Sequence, residues 1–263
     1  MSVRRIEDRD RIYRALSDHP VENAWLLGYL DGEWSEHSSW FGFSKDDQLE
    51  TLVLVYDGLS RPGLFTAGWE GGIRPILREL GDELPDRATA HIDSGHLEAV
   101  QIGYAAPRPL RRMMRMGLRR EDAHLDAPPD VTVDRLTHAD TGAIMALYAH
   151  WPDHFFEPFQ LESGFYFGVR DGDRLASIAG IHAVSQRSGV AAIGNLVTHP
   201  DARGRGYAKA CTATLLHDVF DRVDLVTLDV EHGNEPAIRT YKHFGFTRYG
   251  DFFEGEIVRR PTR

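Results

Sequence analysis

The sequence predicts an α/β fold of the α+β kind, divided into two lobes. Three observations carry that expectation. The order strand, strand, strand, glycine-containing loop, helix can be read twice, over residues 40–80 and again over residues 165–220. Between the two runs lies Ala127-Pro128-Pro129-Asp130, a linker stiffened by its prolines. The second run contains the most informative stretch, Ile193–Phe220: a buried strand, a turn at Pro200, alternating Arg and Gly, then a long amphipathic helix. A chain of 263 residues suits two domains of ordinary size, here 1–127 and 128–263.

In the first lobe Ile6, Ile12, Leu16, Trp25, Leu26, Tyr29 and Leu30 recur at helical spacing. Residues 4–30 are therefore expected to be helical, with a break at Asp18-His19-Pro20. Strands follow at Trp40–Phe43, Leu49–Tyr56 and Leu64–Ala67, and Gly68-Trp69-Glu70-Gly71-Gly72 leads into a helix from Ile73 to Leu80. That loop reads either as a turn before a helix or as a worn phosphate site, since it holds Glu70 and no Arg. Ala88–Ile92 is a further strand and Leu97–Tyr104 a short segment. From 108 to 120, Arg108, Arg111, Arg112, Arg115, Arg119 and Arg120 interleave with Met113, Met114 and Met116. They offer either a patch for an anionic partner such as RNA, or a hairpin whose arginines pair with carboxylates such as Glu121 and Asp122. The acidic balance of the chain favours the second.

The second lobe opens with a strand at Val131–Leu136, after which Asp140 is placed to cap a helix that turns Ile144, Leu147 and Tyr148 inward. Trp151–Gly164, with Pro152 and Pro158, reads as a broken apolar loop. Strands are expected at Phe165–Arg170, Leu175–Val184 and Val190–Val197, the first two joined by the hairpin signal Asp171-Gly172. After the long helix come a strand at Leu225–Val230, a helix capped by Asn234, carrying Pro236 in its first turn and stopped by Gly245, and a last strand from Thr247 to about Ile257.

A net charge of −10 argues against general binding to nucleic acid or anionic membranes. The single cysteine, Cys211, falls in a helical apolar pattern and cannot form an internal disulfide, which fits a reducing compartment. The N-terminus is charged throughout, without the apolar core of a signal peptide, and no apolar run approaches the roughly 18 residues of a membrane span. A cytoplasmic protein is expected, with a homodimer left open.

The functional signal lies in Arg203-Gly204-Arg205-Gly206-Tyr207-Ala208. Two glycines allow backbone conformations in which several N–H groups converge, the following helix directs its positive end there, and two arginines add charge. Such a loop suits a pyrophosphate. Lys209 stands where a dinucleotide fingerprint needs a small residue, and no Walker tripeptide occurs. The remaining pattern, Arg203, Gly206 and Ala208 after the strand end Leu196-Val197-Thr198-His199-Pro200, resembles the acetyl-CoA loop of the GCN5-related N-acetyltransferases. Asn234, Ala237, Tyr241, Gly245 and Phe246 match a second pattern of that superfamily, in the right order.

The resemblance implies a mixed, mostly antiparallel sheet flanked by helices, with a catalytic C-terminal lobe and a degenerate N-terminal copy, as in two-lobed relatives of the glycine N-acyltransferases. It implies acetyl-CoA as co-substrate, a small-molecule amine or amino acid as acceptor, and direct transfer in a ternary complex. Loop 203–208 would hold the pyrophosphate, main-chain groups of Leu196, Val197 and Thr198 the pantetheine arm, and Asn234 and Ala237 would meet the cofactor. Tyr241 would be the general acid, protonating the leaving thiolate.

The base stays open. Val190–Thr198 lacks the acidic residue many relatives carry, which leaves Glu231, Asp229, His182, Glu157 or a water chain, and its small residues leave room for a bulky acceptor. That missing carboxylate also admits a non-catalytic acyl-CoA-binding module, and the arginine stretch admits acylation of a protein or aminoacyl-tRNA. No metal is expected: His150 and His154 are four apart, but Pro152 interrupts the helix that would align them.

Overall fold

The computed structural model describes residues 1–151 and 156–261; Pro152 and His154 lie outside the described residues. The chain forms two compact units. The first comprises Met1–Arg115, Asp229–Gly233 and Tyr249–Arg263, the second Met116–Leu228 and Asn234–Arg248.

The first unit begins with β1 (Ser2–Arg5), α1 (Arg9–Ser17) and α2 (Ala24–Gly28). The expected helix over 4–30 is thus corrected at its start. Residues 2–5 pair with a neighbouring strand, and helix begins only where the Asp8 side chain accepts the Arg11 N–H. Then follow β2 (Ser38–Lys45), β3 (Gln48–Tyr56), β4 (Gly63–Gly68), α3 (Ile73–Glu79), β5 (Arg87–Asp93), α4 (Leu97–Gly103), β6 (Tyr104–Ala105) and β7 (Arg111–Arg119). The arginine-rich stretch is therefore a strand and not a hairpin, and its arginines do hold carboxylates: Arg111 with Glu254, Arg112 with Asp251, Arg115 with Asp229 and Arg120 with Asp224.

The rest of the chain carries β8 (Asp134–Arg135), α5 (Thr141–Tyr148), β9 (Phe167–Asp171), β10 (Arg174–Ser185), β11 (Val190–Thr198), α6 (Tyr207–Phe220), β12 (Leu225–Glu231), α7 (Glu235–His243) and β13 (Thr247–Arg259), of which Asp229–Glu231 and Tyr249–Arg259 belong to the first unit and the remainder to the second. The strand expected over 131–136 shrinks to two residues. Ahead of α5, Asp140 does not cap forward; its carboxylate accepts the Thr137 N–H in a capping box, a feature that stabilises a helix start by about 1 kcal/mol.

The two units repeat one topology. In the first, β1, β2, β3 and β4 are antiparallel neighbours, β4 lies parallel to β5, and β13 pairs antiparallel with β5. In the second, β8, β9, β10 and β11 are antiparallel neighbours and β11 lies parallel to β12. Each parallel pair is bridged by a helix, α3 or α6, as a parallel connection requires. The sheet is mixed and mostly antiparallel. Alternation along the strands sends Phe41, Phe43 and Val53 into a core with Ile73 and Ile76 of α3, while Tyr56 and Phe65 meet Tyr29 and Trp25 beside α2. In the second unit α5 and α6 both pack on β10.

Candidate active site

The site in the second unit is built where β11 leaves its parallel partner. Val190–Ile193 pair with Leu225–Leu228, and beyond Ile193 the ladder to β12 ends. Val190–Ile193 are buried, whereas Gly194–Thr198 are half-buried. Backbone groups on that side of residues 194–198 are therefore open to a ligand, as main-chain polar groups away from solvent need partners.

Two β-bulges shape this end. Between the pairs Gly180–Gly194 and Ile178–Val197, β11 has two residues against one on β10, and Asn195 takes a left-handed φ of 53°. Its amide donates to Tyr166 Oη at 2.7 Å and to Gln160 Oε1 at 3.1 Å, which fixes the bulge. Between Ile181–Ile193 and Ala183–Ala192 the extra residue is His182, on β10. Bulges re-aim side chains. The imidazole of His182 lies so close to Gly194 that a Cβ there would stand 1.8 Å from Nε2. The space at Gly194 is thus filled by His182, not left for an acceptor.

Past β11 the chain turns through Pro200–Ala202 into loop 203–208. Gly204 and Gly206 have φ of 76° and 80°, the left-handed region that costs a residue with a Cβ about 1–2 kcal/mol. Gly206 is the N-cap of α6 and carries no side chain to cap it. The first intrahelical bond reaches Gly206 O from Ala210 N, so the amides of Tyr207, Ala208 and Lys209 have no partner within the helix. Arg203 is exposed and its guanidinium lies 6.0 Å from the Trp151 ring. Arg205 donates to Asp171 at 2.8 Å. Amides without an intrahelical partner, a helix dipole and two guanidinium groups make this loop a cradle suited to an anion, with Tyr207 and Asp171 both engaging Arg205.

The sequence-predicted residues fall into two groups. Leu196, Val197 and Thr198 run directly into Arg203–Ala208. Asn234, Ala237 and Tyr241 lie together on α7, where the Asn234 side chain accepts the Ala237 N–H at 3.3 Å. Among the described residues, no hydrogen bond, ion pair or ring contact joins the groups. Tyr241 is 7% exposed, and its ring meets Phe246 edge-on at 6.0 Å. Burial pushes the phenol up to about 12, which keeps it protonated across neutral pH, and its hydroxyl makes no hydrogen bond among the described residues. Cys211 is buried in α6, its thiol pushed up to about 12 by burial and turned toward Ser177 O.

The residues left open as bases are placed as follows. Asp229 is gripped by Arg115 through both oxygens, at 2.9 and 3.2 Å. The Glu157 side chain caps its own turn, and Glu231 is exposed. His182 is a buried imidazole that burial pushes down to about 4, so it is neutral at pH 7. His150, considered above with His154, packs instead against His199, ring centroids 4.5 Å apart. Sequence reading missed the paired bulges, though a lone Asn within an apolar strand was the available signal for one of them.

Known proteins share this fold. Residues 135–246 match the model of the acetyltransferase (GNAT) family. A mycothiol acetyltransferase from Thermomonospora curvata is 30% identical over 227 residues, covering 75% of this chain and 70% of that one. The chain belongs to the GNAT family. It is accordingly an acetyltransferase by family, and the matched span contains the anion cradle and the whole of α7. Among solved structures, a GCN5-related N-acetyltransferase from Kribbella flavida superposes with a TM-score of 0.66 at 15% identity, covering 94% of this chain and 96% of that one. A tandem GNAT protein from the clavulanic acid biosynthesis pathway gives a TM-score of 0.61 at 12% identity, covering 100% and 99%. These two likenesses speak for the GNAT fold, including its occurrence in tandem. Among the described residues no helix is long and apolar enough to cross a membrane.

Proposed function

We propose that this GNAT protein transfers an acetyl or other acyl group from coenzyme A to the primary amine of a small molecule or amino acid. Residues 128–263 form the catalytic domain and 1–127 a copy that has lost cofactor binding. The observation that carries this reading is the uncapped, left-handed entry to α6 directly after the open end of β11. The residues present fit the cofactor: Gly206 could not become alanine without bringing a Cβ to 2.9 Å from Pro128 Cγ, and the amides that open α6 are available to a pyrophosphate.

Acetyl-CoA, when bound, supplies an activated acyl carbonyl and a thiolate leaving group. The amides of Gly204–Ala208, with Arg203 and Arg205, would hold the pyrophosphate. Main-chain groups of Leu196, Val197 and Thr198 would hold the pantetheine arm, and Asn234 and Ala237 at the start of α7 would meet the cofactor. The Tyr241 hydroxyl would supply the proton to the leaving thiolate. A phenol kept neutral by burial is present in its acid form at every physiological pH.

The test is acetyl-CoA consumption against a panel of amino acids, polyamines and peptides, with cofactor affinity measured in parallel. Aminothiols such as cysteine belong in the panel because the relative's name joins acetyl transfer to a thiol compound. For these acceptors, product is followed by mass spectrometry, since their own thiol masks the released one. Turnover with an amine supports the reading. Tight binding without turnover on any amine would make the protein an acyl-CoA-binding module, and no binding would remove both readings.

A further inference from the structure

Beside loop 203–208, within the second unit, lies a group of basic side chains that the acyl-transfer reading does not use. Arg174 opens β10, and His199 follows the end of β11, just ahead of Arg203. His150, beyond the end of α5, meets His199 edge-on with ring centroids 4.5 Å apart. The group adjoins the loop through Asp171, whose carboxylate lies 2.8 Å from Arg205 and 3.6 Å from Arg174.

His199 is held between two donors. Its side chain is 12% exposed. Its Nδ1 faces the Asp201 N–H at 3.2 Å, and its Nε2 faces the Arg174 guanidinium at 3.3 Å. Desolvation, with Arg174 and His150 nearby, holds the ring below its ordinary value, so it is neutral at pH 7. A neutral imidazole accepts at one nitrogen and donates from the other. The Asp201 amide is fixed in the turn Pro200–Ala202 and takes Nδ1 as its acceptor. The ring hydrogen then belongs on Nε2, pointing at Arg174.

Two N–H donors therefore converge with no acceptor between them among the described residues. The nearby carboxylates do not supply one. Asp201 lies 3.8 Å from Arg174 and is 77% exposed, and Asp171 is engaged by Arg205. Both carboxylates stand farther from Arg174 than a hydrogen bond reaches. An anionic oxygen placed between Arg174 and His199 would accept from both, and charge-assisted bonds of this kind are the strong ones.

We infer that Arg174 and His199 form a subsite for a phosphomonoester, separate from the amides that open α6. Such a group offers three acceptor oxygens and a charge of about −1.5 to −2 at pH 7. The position favours the 3′-phosphate of coenzyme A, which hangs from the same ribose as the pyrophosphate and must lie beside it. That source rests on the acyl-transfer reading; the subsite itself does not. A phosphate on a separate molecule is the other source.

Calorimetry on the full chain tests this with coenzyme A, 3′-dephospho-coenzyme A and inorganic phosphate. The variants are Arg174→Gln, at a largely exposed side chain, and His199→Asn, whose Oδ1 keeps an acceptor for the Asp201 N–H while the Nε2 donor is removed. Thermal melts check that both fold. Coenzyme A should bind about tenfold or more tightly than its 3′-dephospho form. Each variant should shrink that ratio about threefold or more, and the double variant should bring it within about twofold of unity. Gly204→Ala should weaken both forms and leave the ratio in place. A ratio near one in the wild type, with phosphate binding lost in the double variant, would keep the subsite and assign it to a phosphate on a separate molecule. If neither form of coenzyme A binds while phosphate behaves in that way, the acyl-transfer reading fails and the subsite stands. The inference is overturned where the double variant changes neither the coenzyme A ratio nor phosphate binding, or where none of the three ligands binds.

Discussion

Replacing Gly206 by alanine, beside the same change at Gly204, measures what the left-handed loop contributes. Both glycines have φ near +80°, so each alanine carries about 1–2 kcal/mol of backbone strain. The sites differ in surroundings. A Cβ at 204 meets nothing within 4 Å, whereas one at 206 stands 2.9 Å from Pro128 Cγ, part of a stiff ring in a Pro-Pro linker. The loop is exposed at 204 and half-buried at 206, and the core below it is held by the apolar face of α6. Strain is therefore relieved in the free protein by moving the loop, at little cost in stability. Binding must restore the original geometry, so the strain reappears in affinity. Gly204→Ala should weaken acetyl-CoA about five- to thirty-fold, the range that 1–2 kcal/mol corresponds to, and Gly206→Ala should lose more because Pro128 must also shift. Calorimetry with acetyl-CoA, with thermal melts as control, reads both. Binding within about twofold of wild type in both variants, or a larger loss at 204 than at 206, would refute the assignment of the cofactor to this backbone.

Tyr241→Phe should leave stability within about 0.5 kcal/mol and acetyl-CoA affinity unchanged, because the hydroxyl has no partner among the described residues and the ring contact with Phe246 persists, while kcat falls about 100- to 10,000-fold in steady-state assays. Gly194→Ala forces a Cβ to 1.8 Å from His182 Nε2 and should destabilise by about 1–3 kcal/mol in denaturant titrations, with part of the loss recovered when His182→Ala is added. His182 has its folded value at about 4, below the ordinary 6.5, so the neutral ring favours folding. That contribution is complete above pH 6.5 and disappears as pH falls to 4, about 3 kcal/mol in all. Denaturant titrations across this window should show the slope in wild type and its loss in His182→Gln.

Much of this was legible because certain residue types dictate their own geometry. Gly204 and Gly206 in an Arg-rich loop, Asn234 before Pro236, and Gly245 closing α7 are local signals, and the structure gives each the conformation its chemistry demands. Signals that depend on a partner strand were not legible. Val3 and Arg5 sit in β1 only because Phe43 and Phe41 offer a ladder, and that pairing overrides the helical spacing of Ile6, Ile12 and Leu16. The bulges at His182 and Asn195 exist in the register between β10 and β11, which neither strand encodes alone. Arg111 and Arg112 find Glu254 and Asp251 more than a hundred residues away, instead of the adjacent Glu121 and Asp122.

The first unit holds the same topology around a different loop. Its core is carried by Ile73 and Ile76 of α3 beneath the sheet, and these make no demand on the loop before the helix. The cradle makes several demands, and that loop meets none. Gly72, the N-cap of α3, is right-handed at φ −85°, where Gly206 is left-handed. The Thr51 hydroxyl lies 2.2 Å from where a Cβ of Gly72 would be, and the Trp69 ring lies equally close to that of Gly71. Glu70 replaces the arginines, and α3 spans 7 residues where α6 spans 14. The parting of β4 from β5 depends on strand pairing and not on that loop. A concave space remains there, lined by side chains of both signs, Glu22 and Glu50 with Arg115.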